Sequence, residues 1–377
     1  MRIAHLIESD GPGGAEQVVG HMATMLQTAG ARNVVFVHAD GEGWLARQLE
    51  GSGVAVEYFR QDERLSRTCA RTLEEGFRRH RIEVAHSHEF AMAVYGAWAS
   101  WRAGIPHVIT MHGGRYYAGR LRRRLALRAA IAASGRTVAV SRSLASQLSR
   151  DLWIRRSRVT MIANGVRYVR PDRVTLREEL GLGPDDRLVV SIGNLYPVKG
   201  HCHLIEAVAR LATAHPTVHV AIAGRGGLLE SLTVQARDRG VAGRIHFLGL
   251  RADVAAVLEA ADLFVLPSLS EGLPLALLEA MFARRPIVAT DVGEVATALA
   301  GGEAGALVEP GNPSALTAAI DSLLSDPNRA ARLADAAVHR AAAEYDVAHM
   351  VRRYAEVYGE LLRWPDACRP AIRCTNS

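Results

Sequence analysis

Lysine is almost missing from this chain: of the 45 basic residues, one is Lys199 and the other 44 are arginine. Long apolar runs are missing too. None approaches the ~20 residues needed to span a bilayer, so no transmembrane helix is expected. Four cysteines, Cys69, Cys202, Cys368 and Cys374, show no Cys-x-x-Cys spacing. They argue for neither a zinc site nor a disulfide framework. Cys368 and Cys374 fall in a polar C-terminal tail expected to fray. A strict Gly-x-Gly-x-x-Gly is absent, which weakens a nicotinamide dinucleotide reading. The N-terminus, MRIAHLIESD, meets acids and glycine too soon for a secretory signal and reads as a first strand. The expected location is the cytoplasm.

What is present is regular. The 377 residues are too many for one ordinary core, and 49% hydrophobic with 22% charged reads as soluble and globular. Short β-rich runs (RIAHLI, NVVFVHA, VAVEYF, VAHSH, HVITMHG, RTVAVS, VTMIANG) alternate with helical stretches. A Pro-, Asp- and Gly-rich segment, Arg167 to Asp186, reads as a linker. The alternation then restarts with RLVVSIG, VHVAIAG, RIHFLG, DLFVLPS, PIVATDVG and GALVEP, and Pro313 to Arg363 is nearly all helical. The pattern predicts an α/β protein of two Rossmann-like domains facing across a cleft, with C-terminal helices. The expected divisions are 1–168, 169–345, a helix over 346–364 packing back toward the N-terminal domain, and a tail over 365–377.

Ligands of such sheets bind outside the carboxyl ends of the strands, so the βα loops are the places to look. "DGPGGAEQ" follows the first strand. Gly13 and Gly14 let backbone N–H groups approach a phosphate, although a tight turn would look the same. "ITMHGG" puts His112 at a strand end, one of 15 histidines. "SIGNLYPVKG" carries Lys199, a compact charge suited to a diphosphate. "AIAGRGG" offers Arg225, which reads equally as a plain exposed turn residue. "SEGLPLALLEAM" holds Glu271 and Glu279, with Pro274 expected in the first helical turn and backbone N–H groups around Leu273 to Leu275 free for a ligand. Were the eight residues all helical, the acids would be ~12 Å and ~80° apart and could grip one elongated, hydroxyl-rich ligand.

Taken together, these loops resemble the retaining glycosyltransferases of the GT-B fold, family 4 (glycosyl transferases group 1). The resemblance rests on E-x7-E at Glu271 to Glu279, with GGAE at Gly13, TMHG at Thr110 and GNLYPVKG in order, and covers nearly the whole chain. It implies catalytic roles for His112, Lys199 and Glu271. Glu271, aided by Gly272, Leu273, Pro274 and Leu275, would contact the donor hexose; Glu279 would hold the ribose. Lys199 would bind the diphosphate, with the Gly13–Gly14 loop approaching it. "FLGLRADV", with Leu250, would flank the nucleobase. One position departs from the family pattern: Asn194 stands where the family often has arginine, and Arg225 is a candidate substitute.

The resemblance also implies transfer of a hexosyl unit from a UDP- or GDP-sugar to a hydroxyl acceptor with retained anomeric configuration. The leaving phosphate oxygen takes the acceptor's proton, and the glutamates position the donor rather than form a covalent intermediate, unlike glycoside hydrolases. No Asp-x-Asp occurs, in keeping with chemistry that needs no metal and no cofactor. "HSHE" (His86 to Glu89) and "HCH" (His201 to His203) show no third ligand in the sequence. The run Arg115 to Ser134, densest in arginine from Arg115 to Arg128, reads either as a basic amphipathic helix for an anionic membrane surface, bringing the enzyme to a lipid-linked acceptor of cell-surface polysaccharide synthesis, or as a solvated face. Nucleic acid is not expected as a partner. The competing functions are a sugar-nucleotide 2-epimerase of similar fold and a non-catalytic sugar-nucleotide-binding scaffold.

Overall fold

The computed structural model describes residues 1–60, 67–113 and 117–362. The chain divides into two compact units: residues 1–165 with the segment from Asp346 onward, and Val166–Tyr345.

The first unit holds seven parallel strands: β1 (Arg2–Leu6), β2 (Arg32–His38), β3 (Ala55–Phe59), β4 (Val84–His88), β5 (His107–Met111), β6 (Arg136–Ala139) and β7 (Val159–Met161), in the order β3-β2-β1-β4-β5-β6-β7. β4 and β5 are buried at every position, as a parallel sheet covered on both faces requires. The strand order reverses between β1 and β4. In register, His5 pairs with His86 and His88 with Thr110. Side chains alternate faces along a strand, so His5, His86, His88 and Thr110 share one face. The helix Val347–Leu362 covers that face with Tyr354 and Tyr358, both fully buried. The helix Glu89–Ala103 packs on the other face. A Cβ at its Gly96 would lie 2.0 Å from Ser87 Oγ, so only glycine permits that approach.

The second unit holds six parallel strands: β8 (Arg187–Ile192), β9 (Val218–Ala223), β10 (Ile245–Gly249), β11 (Leu263–Leu266), β12 (Ile287–Thr290) and β13 (Ala306–Val308), in the order β10-β9-β8-β11-β12-β13. Here the reversal lies between β8 and β11. Its core is aliphatic, with Val189, Val220, Ile222, Val265 and Val288 from the sheet meeting Leu204, Ile205, Leu316 and Ile320 from the helices. The helix Pro313–Ser325 starts where Asn312 accepts a hydrogen bond from Ala315 N at 3.0 Å and proline occupies the first turn.

The segment expected to be a linker is instead fastened to this second unit. Tyr168 donates to Glu259 Oε1 at 2.9 Å and stacks on Phe282 at 8° between ring planes. Arg177 reaches the Ala260 carbonyl and Asp262. Its Pro, Asp and Gly content reflects a lack of sheet, not a lack of contacts.

Candidate active site

In the second unit the topology itself assembles a site. The loops after β8 and β11 leave the sheet on either side of its switch point, and they carry Lys199 and Glu271. Lys199 Nζ lies 2.7 Å from Glu271 Oε1, which also accepts from Ser268 Oγ at 2.7 Å. The Glu271 side chain is 8% exposed and that of Lys199 25%. Sequence reasoning missed Ser268, although it lies three residues before Glu271. It is fully buried, and its carbonyl accepts from Thr290 Oγ1 at 2.6 Å.

Backbone contacts lock these loops. Gly200 is left-handed (φ +66°), and a Cβ there would lie 2.0 Å from the Pro267 carbonyl oxygen. Gly293 (φ +59°) would likewise place a Cβ 2.1 Å from the Glu271 carbonyl oxygen, and Glu294 N donates to the Gly272 carbonyl at 2.9 Å. Glycine is the residue that tolerates such conformations. The turn after β9 packs as tightly: Leu195 N donates to the Arg225 carbonyl at 2.9 Å, so Arg225, exposed, belongs to a turn resting on the Asn194 loop.

The helix beyond Glu271 runs Leu275–Phe282. Pro274 is its N-cap, with φ −72° and ψ 131°, rather than a residue of its first turn. Glu271 therefore stands in the loop, and the all-helical spacing of the two acids does not apply. Pro274 has no N–H, so the helix-start donors begin with Leu275. Glu279 lies in the second turn. It keeps part of its surface, yet burial of the carboxyl raises its pKa to about 7. Leu250, half-exposed, follows β10, and the adjacent Arg251 is tied to Asp253 and Glu179.

In the first unit Gly13 is the N-cap of the helix Gly14–Thr28. A Cβ there would lie 2.3 Å from Glu16 Oε2, the end of a flexible side chain whose carboxylate folds back over the helix start. His112 follows β5. Its backbone N–H donates to Glu89 Oε1 at 2.9 Å and its Nε2 lies 3.0 Å from His88 Nδ1. Burial pulls the His112 pKa down to about 4 and that of His88 well below the usual histidine value, the latter helped by neighbouring histidines. Gly114, Arg115 and Tyr116 lie outside the described residues.

The sequence offered no third ligand beside His86 and His88, but the sheet supplies one. Ring nitrogens of His5, His86 and His88 lie within 4.8 Å of one another. His86 is nevertheless fully engaged, with Tyr358 OH 2.6 Å from Nδ1 and Thr110 Oγ1 2.7 Å from Nε2. A metal would have to break one of these bonds, so the trio reads as a hydrogen-bonded core, not a preformed cage. In "HCH", buried His201 Nε2 faces the Gly193 carbonyl at 3.1 Å.

The arginine-rich run forms the helix Leu121–Ala133. Leu127, Ala130 and Ile131 face inward; Leu121 and Leu125 are 61% and 51% exposed. Several of its arginines are engaged within the protein, Arg124 and Arg128 among them. Arg124 lies 4.2 Å over the Trp153 ring and donates to the Asp151 carbonyl, and Arg128 donates to the Leu152 carbonyl. Tyr117, just before this helix, is fully buried. Among the described residues no helix is long and apolar enough to cross a membrane.

Two parallel Rossmann-like sheets with helices at the C-terminal end define the GT-B class. HepE from Anabaena, solved with UDP-glucose, superposes with a TM-score of 0.84 at 25% identity, covering 96% of this chain and 100% of that one. Residues 12–170 match the model of Glycosyltransferase Family 4, and residues 172–340 that of Glycosyl transferases group 1. A glycogen synthase of Mycobacterium tuberculosis is 30% identical over 288 residues, 74% of this chain and 69% of that protein. A D-inositol 3-phosphate glycosyltransferase of Rhodococcus jostii is 31% identical over 273 residues, 67% of this chain but only 60% of that enzyme's length. The chain belongs to the family 4 (group 1) glycosyltransferases.

Proposed function

We propose that this protein is a retaining hexosyltransferase that takes a UDP- or GDP-sugar as donor and a hydroxyl compound as acceptor. The observation that carries this reading is the Lys199–Glu271 pair at the switch point of the second sheet. Alone, the two groups satisfy each other. A sugar diphosphate offers each a better partner: phosphate oxygens for the ammonium, hydroxyl donors for the carboxylate. The bond from the anomeric carbon to the diphosphate oxygen breaks while that from the acceptor oxygen forms on the same face. The acceptor's proton passes to the leaving phosphate. Lys199 acts where negative charge develops. His112 serves the transferred sugar, Glu279 the ribose and Leu250 the base. Gly13 and Gly14 serve the phosphates, and Arg225 supplies the cation that Asn194 does not. HepE, whose structure holds UDP-glucose, makes a glucosyl donor the first to try.

Glu279 gives this reading a pH signature. Its carboxylate form accepts from both ribose hydroxyls; its neutral form does not. With its pKa at about 7, lowering the pH from 8 to 6 should weaken donor binding about tenfold. A panel of UDP- and GDP-sugars by thermal shift, followed by calorimetry at both pH values, tests this. One nucleotide class should bind, and Glu279→Gln should bind it weakly at both pH values. If no sugar nucleotide binds, the reading is wrong.

We place the enzyme at the cytoplasmic face of a membrane, where a lipid-linked acceptor of cell-surface glycan synthesis would be found. Support comes from exposed Leu121 and Leu125 on an arginine-rich helix. Vesicles with anionic lipid should sediment the protein at low salt, less so at high salt, and not the Leu121→Glu/Leu125→Glu variant. Absence of binding at low salt rules the placement out.

A further inference from the structure

The loop after β8 holds one backbone hydrogen out toward the switch point. Gly193 N donates to the Ala223 carbonyl and Leu195 N to the Arg225 carbonyl, each at 2.9 Å. Their spacing of two continues the β8–β9 ladder beyond Ile192, the last residue of the strand. Along an extended chain, successive N–H groups point to opposite edges. The N–H between these two, that of Asn194, therefore points away from β9 and toward the side of β11, since β8 lies between those strands. Among the described residues no protein group accepts it. On that side Lys199 meets Glu271. The stem of Lys199 runs along the same loop: its Cδ lies 3.5 Å from where a Cβ on Gly193 would be.

His201, from the "HCH" stretch, sets that direction. A peptide unit is planar and trans, so the Gly193 carbonyl and the Asn194 N–H are opposite ends of one rigid plate. His201 Nε2 lies 3.1 Å from the Gly193 carbonyl oxygen. A carbonyl oxygen can only accept, so the ring hydrogen is on Nε2. Nδ1 is left to accept, with Ser191 Oγ 3.5 Å away. The ring is 3% exposed, and burial pulls its pKa down to about 4, so it is uncharged at neutral pH. Backbone closes in on the same carbonyl: Gly224 has φ +152°, and a Cβ there would lie 2.0 Å from the oxygen. Glycine alone leaves that room. The plate is thus held at its oxygen end and open at its nitrogen end.

We propose that the backbone N–H of Asn194 binds a phosphate oxygen of the sugar nucleotide, and that His201 is the positioning residue that aims it by holding the other end of the same peptide. This rests on the reading above that Lys199 meets the donor's diphosphate. A hydrogen bond to a charged oxygen is stronger than one between neutral groups, so residue 194 contributes through its backbone although its side chain is neutral.

Calorimetry with UMP, UDP, GMP and GDP tests the positioning. The diphosphate of one base should bind more tightly than its monophosphate. His201→Leu should weaken the diphosphate about tenfold, the scale of one hydrogen bond to a charged group, and leave the monophosphate within about twofold. His201→Gln, whose amide nitrogen falls where Nε2 lies, should recover most of the loss. Equal loss for both nucleotides, no loss, or Gln no better than Leu reduces His201 to a packing role.

Spectra of the unaltered protein stand whether or not a variant folds. Long-range ¹⁵N–¹H correlation of histidine-labelled protein should show the His201 hydrogen on Nε2; hydrogen on Nδ1 overturns the assignment. In ¹⁵N-asparagine-labelled protein the Asn194 amide proton should move downfield with the diphosphate and much less with the monophosphate. A signal that stays in place while the diphosphate binds overturns the phosphate contact. Nucleotide binding kept while these effects fail removes this inference alone; no nucleotide binding by the unaltered protein removes the donor reading with it.

Discussion

Lys199→Ala is expected to lower kcat/KM for the donor by about 10²–10³-fold, the scale of losing one charged stabiliser of a developing oxyanion. Arg225 remains as the second cation of this reading, but the ammonium paired with Glu271 has no lysine to replace it, since Lys199 is the chain's one lysine. The same change removes the ion-pair partner of Glu271, whose side chain is 8% exposed. Ser268 remains, so the folded state should lose about 1–3 kcal/mol rather than collapse. Glu271→Gln should lose activity on a similar scale but not stability, because Lys199, one quarter exposed, keeps access to water. The double variant should be little worse than either single one, since each removes the same pair. Donor turnover and thermal melts of the three variants decide the matter. Lys199→Ala within twofold of the unaltered protein would sink the assigned role.

That pair was half legible in the sequence. Each residue is marked by its loop, Lys199 by its singularity and Glu271 by its place before a proline. What the sequence does not show is that they meet. That follows from strand order: β8 and β11 become neighbours only because the chain crosses back at the switch point, and spacing along the chain carries no trace of it. Strands were readable as aliphatic, β-branched runs because a sheet covered on both faces needs them. The turn chemistry was harder. Pro274 was legible as a helix-start residue but not as the cap outside the helix; Glu271 precedes the helix on either reading.

The histidines make the complementary case. "HSHE" has the period of two that puts His86 and His88 on one face. Seen alone, it could suggest metal, but strand ends and helix starts often carry such residues and the sequence shows no third ligand. The distinction lies in partners from distant strands and from the last helix: His5 in register, Tyr358 bonded to His86 at 272 residues' remove, and Tyr354 bonded to the neighbouring Thr110 at 244. Likewise Gly13 reads as a phosphate-loop glycine, and what the structure adds is that the Glu16 carboxylate folds back against it.

Lowering the pH should unfold the first unit before the second. Burial pulls the pKa of His5 and His112 to about 4 and that of His107 to about 3, and holds His86 and His88 well below the usual value. A histidine depressed in the folded state binds its proton first in the unfolded chain. Its contribution is complete above the unfolded pKa near 6.5 and is lost as pH falls below it. At pH 5 each such group costs about 2 kcal/mol, so five cost about 10 kcal/mol, comparable with the 5–15 kcal/mol that holds a typical domain. Glu8, raised by burial, offsets only part of this. The second unit carries fewer groups of this kind, His201 at about 4 and His246 lowered. There Glu279 works the other way: raised to about 7, it takes up a proton in the folded state first and adds stability as pH falls toward 4.5. The tryptophans make the order visible. All five tryptophans lie outside residues 166–345, four of them (Trp44, Trp98, Trp101 and Trp153) among the described residues of the first unit, so tryptophan emission does not report the second unit while far-ultraviolet circular dichroism reads both. Emission should change between pH 6 and pH 4.5 with about half of the helical signal retained, and the dichroism should complete its loss at lower pH. Coincident transitions, or emission unchanged down to pH 4, would mean that these imidazoles are not held neutral in the folded protein.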